Sequence, residues 1–344
     1  MKISSIPQIY RHVGRWGEIL SVLSKYELAA WIGRLGPDFA KDLLKARGGD
    51  AIARHPWQTR LRLALAELGP TFIKLGQMLS TRSDLIGDDL AEELIKLQAD
   101  TPADSIESVR ETIELELGQP VEELFTEFGE EPFASASIAQ VHSARLEDGT
   151  EVVVKVQHAG IEETIANDLD ILIALAGLAE KYNRDLRLYQ PARVMTEFRR
   201  NLLRELDFGR EEQNLLQFRK NFEGDETVHV PRPYPDHSAK RVLTMERLTG
   251  INIQESANRR EVDFDRRELA ERGANVFLEM IFRDHFFHAD PHPGNILILP
   301  GNVIGLLDCG MVGYLDDVTQ AGIEGLIEGF LGRDTDLLTE CALQ

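Results

Sequence analysis

Two apolar runs, Asn295-Ile-Leu-Ile-Leu299 and Val303-Ile-Gly-Leu-Leu307, are separated only by Pro300-Gly-Asn302. Short apolar runs bounded by turn residues read as strands, and so brief a connection calls for an antiparallel hairpin. What flanks the hairpin makes it constraining. His288-Ala-Asp-Pro-His-Pro-Gly-Asn295 leads into the first run, and Asp308-Cys-Gly310 follows the second. Pairing the strands therefore brings Asp290, Asn295 and Asp308 to one mouth. Hard oxygen donors gathered there suit Mg2+, which completes its shell with water and phosphate oxygens.

Asp290 and Asn295 have the separation of the Asp and Asn in the protein-kinase loop H-R-D-x-x-x-x-N, and Asp308 falls where a kinase places D-F-G. On that pattern Asn295 and Asp308 hold Mg2+ against phosphate oxygens, while Asp290 faces an attacking hydroxyl or water. Two other readings stand beside it. His288, Asp290 and His292 form H-x-D-x-H, a spacing open to a transition metal. The blander one is a polar loop with a hydrogen-bonded histidine.

A second hairpin is expected upstream, from Ser137-Ile-Ala-Gln-Val-His-Ser-Ala144 through Glu147-Asp-Gly149 to Glu151-Val-Val-Val-Lys-Val-Gln157. Lys155 stands alone among valines, like the strand lysine of V-A-I-K. If its face is buried it needs an anion, which phosphate and a helix carboxylate would supply. If the strand alternates, the lysine simply faces solvent. Farther on, Thr244-Met-Glu-Arg-Leu-Thr-Gly250 has the place of an interlobe hinge, with backbone groups of Glu246 and Leu248 offered to an adenine.

Around these motifs the chain divides into four segments. Residues 1–57 read as an N-terminal helical segment, with two short amphipathic helices before Gly48-Gly49. Residues 58–120 read as a helical extension, 121–250 as a small sheet with a helical insertion, and 251–344 as a mainly helical part carrying the metal loops. Helices are expected at 161–183, 191–222 and 265–285. The formal charge of −20 argues against nucleic acid as a partner. Two cysteines, Cys309 and Cys341, make no disulfide framework and fit a reducing compartment, most simply the cytoplasm. The most apolar run, Ile171 to Ala179, is far short of the ~20 residues needed to span a bilayer.

Five blocks together resemble the UbiB/ABC1 family of atypical kinases, of the ubiquinone-biosynthesis type. Phe72-Ile-Lys-Leu-Gly-Gln77 looks like its KxGQ motif and Ala134-Ser-Ala-Ser-Ile-Ala-Gln-Val-His142 like its alanine-rich loop. Glu205-Leu-Asp207 resembles its ExD motif, and His288 to Asn295 its HADPHPGN loop, with Asp308 following. They lie in the family's order over roughly residues 60 to 315.

The resemblance implies an α+β, protein-kinase-like two-lobed fold with an N-terminal helical extension, binding ATP with Mg2+. It implies that Ala134, Ser135, Ala136 and Ser137 take the place of a glycine-rich phosphate loop. Lys74 and Gln77 are implied to lie with Glu205 and Asp207 over the cleft. Glu211, six residues past Glu205 on the same helical pattern, is the expected partner of Lys155, with Glu205 next in line. Three departures from the family pattern stand out: Ser135 for Ala, Cys309 for the Phe of D-F-G, and an end about 35 residues after that motif, from which a truncated C-lobe is expected.

The activity so implied is that of an atypical kinase or ATPase supporting ubiquinone biosynthesis at the membrane, with Lys155 on the α/β-phosphates. The implied partners are nucleotide, membrane or lipid, quinone-biosynthesis proteins and a possible second copy. The implied location is cytoplasmic, against the inner face of the membrane. Two alternatives remain open: a nucleotide-switched scaffold without turnover, and a conventional protein or small-molecule kinase.

Overall fold

The computed structural model describes residues 13–28, 55–97, 101–184, 186–253 and 264–343. The helices read over residues 1–50 fall largely outside these, apart from helix α1 (Val13–Lys25). The chain forms two compact units, one of residues 1–149 and 154–207, the other of 150–153 and 208–344. Neither boundary coincides with the sequence divisions at 120 and 250.

The first unit is mainly helical. Helix α2 (Trp57–Leu68) ends at Gly69, whose φ of +97° turns the chain, and α3 (Pro70–Ser80) starts at once. Proline at the first helical position loses no bond there. Short helices α4 (Ser83–Ile86) and α5 (Asp88–Leu94) follow, then α6 (Ile106–Leu117) and α7 (Val121–Leu124). Leu65, Leu68, Phe72, Ile73, Leu75, Leu90, Leu94 and Leu97 are buried in the core of these helices. Gly76 lies within it, and a side chain there would collide with Leu97 and press on Leu65. That collision is the packing reason for the glycine of the KxGQ motif.

Strands β1 (Glu127–Phe128), β2 (Ala134–Ser135) and β3 (Ala139–Arg145) come next, then β4 (Glu151–Gln157). Both β1 and β2 pair antiparallel with β3. Residues Val152 to Val156 of β4 are buried on both faces except Lys155, which is half-buried. The alternating solvent-facing reading of the strand does not hold. Helices α8 (Ile161–Tyr182) and α9 (Pro191–Glu205) complete the unit. Asp168 on α8 is fully buried and takes a bidentate pair of bonds, 2.7 and 3.0 Å, from Arg15 on α1.

The expected single helix over 191–222 is two helices. It stops at Leu206, whose carbonyl accepts a bond from Gln157 Nε2, and α10 (Phe208–Asn221) begins anew. The Phe208 amide donates to the Lys240 carbonyl at 2.9 Å, a partner outside the helix. Glu205 and Glu211 therefore lie on different helices and in different units, not on one pattern.

In the second unit, β5 (Val228–His229), β6 (Val242–Glu246) and β7 (Ile251–Asn252) precede α11 (Arg266–Phe282) and β8 (Phe286–His288). The expected hairpin is β9 (Ile296–Leu299) and β10 (Val303–Leu306), antiparallel with Leu299 opposite Val303 and Ile296 opposite Leu306. Gly301 and Asn302 both take positive φ, +79° and +60°, as a tight turn needs. The sheet runs β5-β10-β9-β7, with β5 parallel to β10, and β8 pairs with β11 (Val312–Tyr314). Phe218 on α10 packs on Phe286, ring centroids 4.5 Å apart, under the end of β8. Helices α12 (Asp317–Gly332) and α13 (Thr335–Leu343) follow.

Candidate functional site

The hairpin carries the acidic loops of the second unit. The Leu307 amide donates to the Asn295 carbonyl at 2.9 Å, extending the ladder one step past Ile296 and Leu306. Asn295 thus stands opposite Leu307, with Asp308 the next residue. The loop before β9 is wound on its own main chain. The His292 amide donates to the Asp290 carbonyl and the Asn295 amide to the His292 carbonyl, both at 2.9 Å. Asn295 Nδ2 reaches the Asp290 carbonyl at 3.3 Å, leaving Oδ1 as the acceptor of that side chain. Proline at 291 and 293 suits this winding, since neither position supplies one of these N–H donors.

His288, 3% exposed, joins the two loops. Its Nδ1 accepts the Asp290 amide at 3.1 Å, so the ring proton sits on Nε2 and is donated to the Asp308 carbonyl. Burial pushes its pKa below the usual histidine range, against the opposing pull of the Asp308 carbonyl. With both nitrogens committed, His288 has no lone pair for a metal. His292 Nδ1 accepts the Gly294 amide at 3.0 Å. Among the described residues no group of three or more His, Cys, Asp or Glu could hold a metal ion. The H-x-D-x-H cluster loses His288 to the backbone, His292 keeps only Nε2, 3.8 Å from Asp290 Oδ2, and the blander reading of a satisfied His describes His288 itself.

Asp308 Oδ1 accepts the Gly310 amide at 2.9 Å. A Cβ built on Gly310 would lie 3.1 Å from Asp308 Oδ1 and 3.8 Å from Glu211 Oε2, so two carboxylates flank this glycine. Cys309 is fully buried, and its carbonyl accepts Asn214 Nδ2 at 2.8 Å. A small thiol and an asparagine hold the segment that the aromatic of D-F-G would pack. Asn295 and Asp308, one on each arm at the open end of the hairpin, carry oxygen donors of the kind Mg2+ takes, with its other ligands drawn from phosphate and water.

Glu246 departs from expectation in part. Its amide donates to the Arg232 carbonyl at 2.8 Å, and its carboxylate takes His229 Nε2 and the Arg232 amide, each at 3.0 Å. The N–H expected for an adenine is committed inside the second unit. Leu248 is half-buried, its side chain near Gly305.

In the first unit the alanine-rich loop is tied at both shoulders. Its residues 136–139 close on an Ala136 amide to Ala139 carbonyl bond of 2.8 Å. His158, just beyond β4, donates its amide to the Ile138 carbonyl and places Nε2 3.0 Å from the Ala136 carbonyl. The other ring nitrogen is 3.3 Å from Asp104, which also accepts the Ala159 amide at 2.8 Å. The Asp104 amide donates to Gln140 Oε1 at 2.7 Å, Gln140 Nε2 to His142 Nε2 at 2.8 Å, and His142 Nδ1 to the Gly129 carbonyl at 2.7 Å. Burial pushes the His142 pKa down, which suits this neutral tautomer. Ser137 is buried, and the buried Ser135 hydroxyl finds no hydrogen-bond partner among the described residues.

Lys74 pairs with Glu205 at 2.8 Å. Gln77 Nε2 reaches the Leu97 carbonyl at 3.4 Å, and the Asp207 amide donates to the Arg204 carbonyl at 3.1 Å. Lys155 belongs to the first unit and Glu211, 3% exposed, to the second. Asp104, Gln140, His142, His158 and Asn214 were not singled out by the motif reading for these supporting roles. The one available signal was proximity in sequence, since His158 follows the lysine strand by three residues.

A lysine strand with an alanine-rich loop, and an Asp–Asn loop joined by a hairpin to Asp-Cys-Gly, define an atypical variant of the kinase-like α+β class. Residues 96–342 match the ABC1 atypical kinase-like domain, and the chain belongs to that family. It is 45% identical over 280 residues to a probable protein kinase UbiB of Pseudomonas fluorescens, strain Pf0-1, covering 80% of this chain and 52% of that one. Similarity to the UbiB protein of Marinobacter nauticus is 43% over 289 residues, 83% of this chain and 53% of the relative. The chain thus spans about half the length of the curated relatives it matches. Among solved structures, Rv3197 of Mycobacterium tuberculosis, determined with erythromycin, matches with a TM-score of 0.59 and 27% identity, over 78% of this chain and 66% of that one. No helix among the described residues is long and apolar enough to cross a membrane.

Proposed function

We propose that this chain binds Mg-ATP and acts as an atypical phosphotransferase or ATPase supporting isoprenoid-quinone biosynthesis at the inner face of the membrane. The observation that supports the nucleotide reading is the hairpin register, which sets Asn295 opposite Leu307, one residue before Asp308, and follows an Asp290 loop fixed by its own main chain. ATP supplies the γ-phosphoryl group, and Mg2+ neutralises charge on its oxygens. Asn295 Oδ1 and Asp308 hold the metal, and His288 keeps their two loops in register. Asp290 accepts the proton of the attacking hydroxyl or water as that oxygen bonds to phosphorus and the bond to the leaving ADP oxygen breaks. Lys155 stabilises the α/β-phosphates, with Glu211 as its counter-charge. Ala134, Ser135, Ala136 and Ser137 line the phosphate side, where the orphaned Ser135 hydroxyl has a donor to offer. The Glu246 carbonyl and Leu248 backbone face the adenine. Lys74 and Gln77, with Glu205 and Asp207, restrain transfer to bulky protein acceptors. Quinone-biosynthesis proteins, a lipid surface and a second copy are the proposed partners; relatives named UbiB support that setting.

Asp308→Asn tests the site. Wild type is expected to gain thermal stability with ATP and Mg2+ and to release phosphate. The variant is expected to keep its fold, lose the Mg-dependent gain, and fall in turnover by roughly 10²–10³-fold, as removal of a charge-stabilising group does. An unchanged ligand-induced shift removes Asp308 from the site. Binding without phosphate release or acceptor labelling in wild type favours the nucleotide-switched scaffold.

A further inference from the structure

The connection between α8 and α9 departs from the acidic character of the chain. From Lys181 to Arg193 the sequence holds four Lys or Arg residues against one acidic residue, in a protein of formal charge −20. The same short stretch exposes large apolar side chains: Leu188 is 84% exposed, Tyr182 57% and Tyr189 52%. A lone exposed leucine needs no explanation, but one between two exposed tyrosines and beside cations does.

The tip is built rather than loose. Leu186–Tyr189 form a turn of 3₁₀ helix. The Arg187 guanidinium caps the end of α8, donating to the carbonyls of Glu180 at 2.9 Å and Lys181 at 3.0 Å. Glu180 in turn accepts the Ala192 amide at the start of α9, at 3.3 Å. Lys181 Nζ lies 5.1 Å from the Tyr182 ring centroid. Leu188 and Tyr189 are therefore held outward by a folded support.

We propose that this tip is a membrane-contact surface for anionic phospholipid. Tyr182, Leu188 and Tyr189 enter the head-group boundary, while Lys181 and Arg184 meet lipid phosphates. Tyrosine favours that boundary because its ring is apolar and its hydroxyl wet, and long cationic side chains extend toward head groups from an inserted apolar residue. Charge complementarity selects anionic lipid, since a net-negative chain is repelled by such a surface everywhere except at a basic patch. A second copy fits less well. A stable protein interface takes about 20–30 residues a side, far more than a turn between two helices presents. The proposal rests on the membrane reading above for its setting, and on these residues for its location.

Two double variants of the full chain test it: Leu188→Ser with Tyr189→Ser, and Lys181→Gln with Arg184→Gln. Arg187 is left intact because it caps α8. Co-sedimentation is measured with vesicles of phosphatidylcholine containing about one third phosphatidylglycerol, a charge density that engages polybasic segments, and with phosphatidylcholine alone. Wild type is expected to pellet with the anionic vesicles, less so as salt rises. The Lys181→Gln, Arg184→Gln variant should bind at least about tenfold less, on the scale of roughly fivefold per removed cation, and the Leu188→Ser, Tyr189→Ser variant about tenfold less or weaker still through lost apolar burial. Their thermal midpoints and lipid-free phosphate release should equal wild type. If wild type and variants pellet alike, the tip is not the contact surface, and the membrane reading stands without it. Failure of wild type to pellet overturns both. Equal binding to neutral vesicles overturns the charge selection and the proposal with it. Concentration-dependent self-association abolished by Leu188→Ser would reassign the tip to a protein interface.

Discussion

In the first unit Arg15 meets Asp168 and Lys74 meets Glu205 side chain to side chain, whereas in the second Asp290, Asn295 and Asp308 are positioned by main-chain bonds and by one buried ring, His288. The first arrangement ties distant segments: Arg15 and Asp168 are 153 residues apart. The second is local, contained within residues 288–310. The difference teaches what each set of charges is for. Charges neutralised in pairs hold a fold together, and removing one strands its partner. Acidic residues positioned within one short segment by main-chain bonds tie no distant parts of the chain together, so changing one alters chemistry more than stability.

The sharpest way to break this contrast is Arg15→Ala. Asp168 is fully buried, and the guanidinium beside it is itself held above its usual pKa by that carboxylate. Breaking such a pair from one side costs about 3–5 kcal/mol, because a buried charge is left uncompensated. Urea denaturation should show a loss of that size, with Arg15→Lys recovering only part because it cannot donate in bidentate fashion. A loss under about 1 kcal/mol, the range of an exposed pair, would make the pair incidental to the first unit.

Next in size is His288→Leu. It keeps the bulk of the ring but leaves the Asp308 carbonyl and the Asp290 amide without their partner. Each stranded backbone group costs about 1–3 kcal/mol if it stays dry. The expected outcome is a destabilisation of about 2 kcal/mol, accompanied by loss of Mg-dependent nucleotide binding measured at a temperature where the variant is folded. Normal nucleotide binding in a folded His288→Leu protein would show that the loops keep their register without the ring, and would remove the main-chain half of the contrast.

Lys74→Ala should matter least to stability. Both partners of the pair retain some solvent, with side-chain exposures of 26% and 16%, so the loss should be about 0.5–1 kcal/mol. Its effect belongs to activity. Nucleotide binding should persist while the ratio of phosphate release to self-labelling changes, read by radiolabel incorporation and phosphate assays side by side. Identical values in both assays would leave Lys74 as a structural cation of the first unit, like Arg15.

Much of this was legible without coordinates, and the reasons are local. The β9–β10 hairpin follows from two apolar runs and a Gly-Asn turn, so the placing of Asn295 opposite Leu307, one residue before Asp308, follows from sequence spacing. Gly69-Pro70 marked the α2–α3 break for the same kind of reason: the glycine takes positive φ and the proline starts a helix. The valine-rich strand around Lys155 declared itself by composition.

Other features depended on partners that no local pattern names. The 191–222 stretch reads as one helix because its periodicity is unbroken. It ends at Leu206 because a carbonyl there is claimed by Gln157 and the following amide by Lys240, both from remote segments. The sequence could propose Lys74 beside Glu205 only through family resemblance, and the bond from Gln77 Nε2 to the Leu97 carbonyl was not readable from it. The pairing of Arg15 with Asp168 and the run from Asp104 through Gln140 to His142 left no signal at all. Backbone conformation and hydrophobic periodicity act over a few residues and can be read in one dimension. Which buried donor finds which acceptor is decided only when the core closes, since burial is what makes an unsatisfied polar group costly.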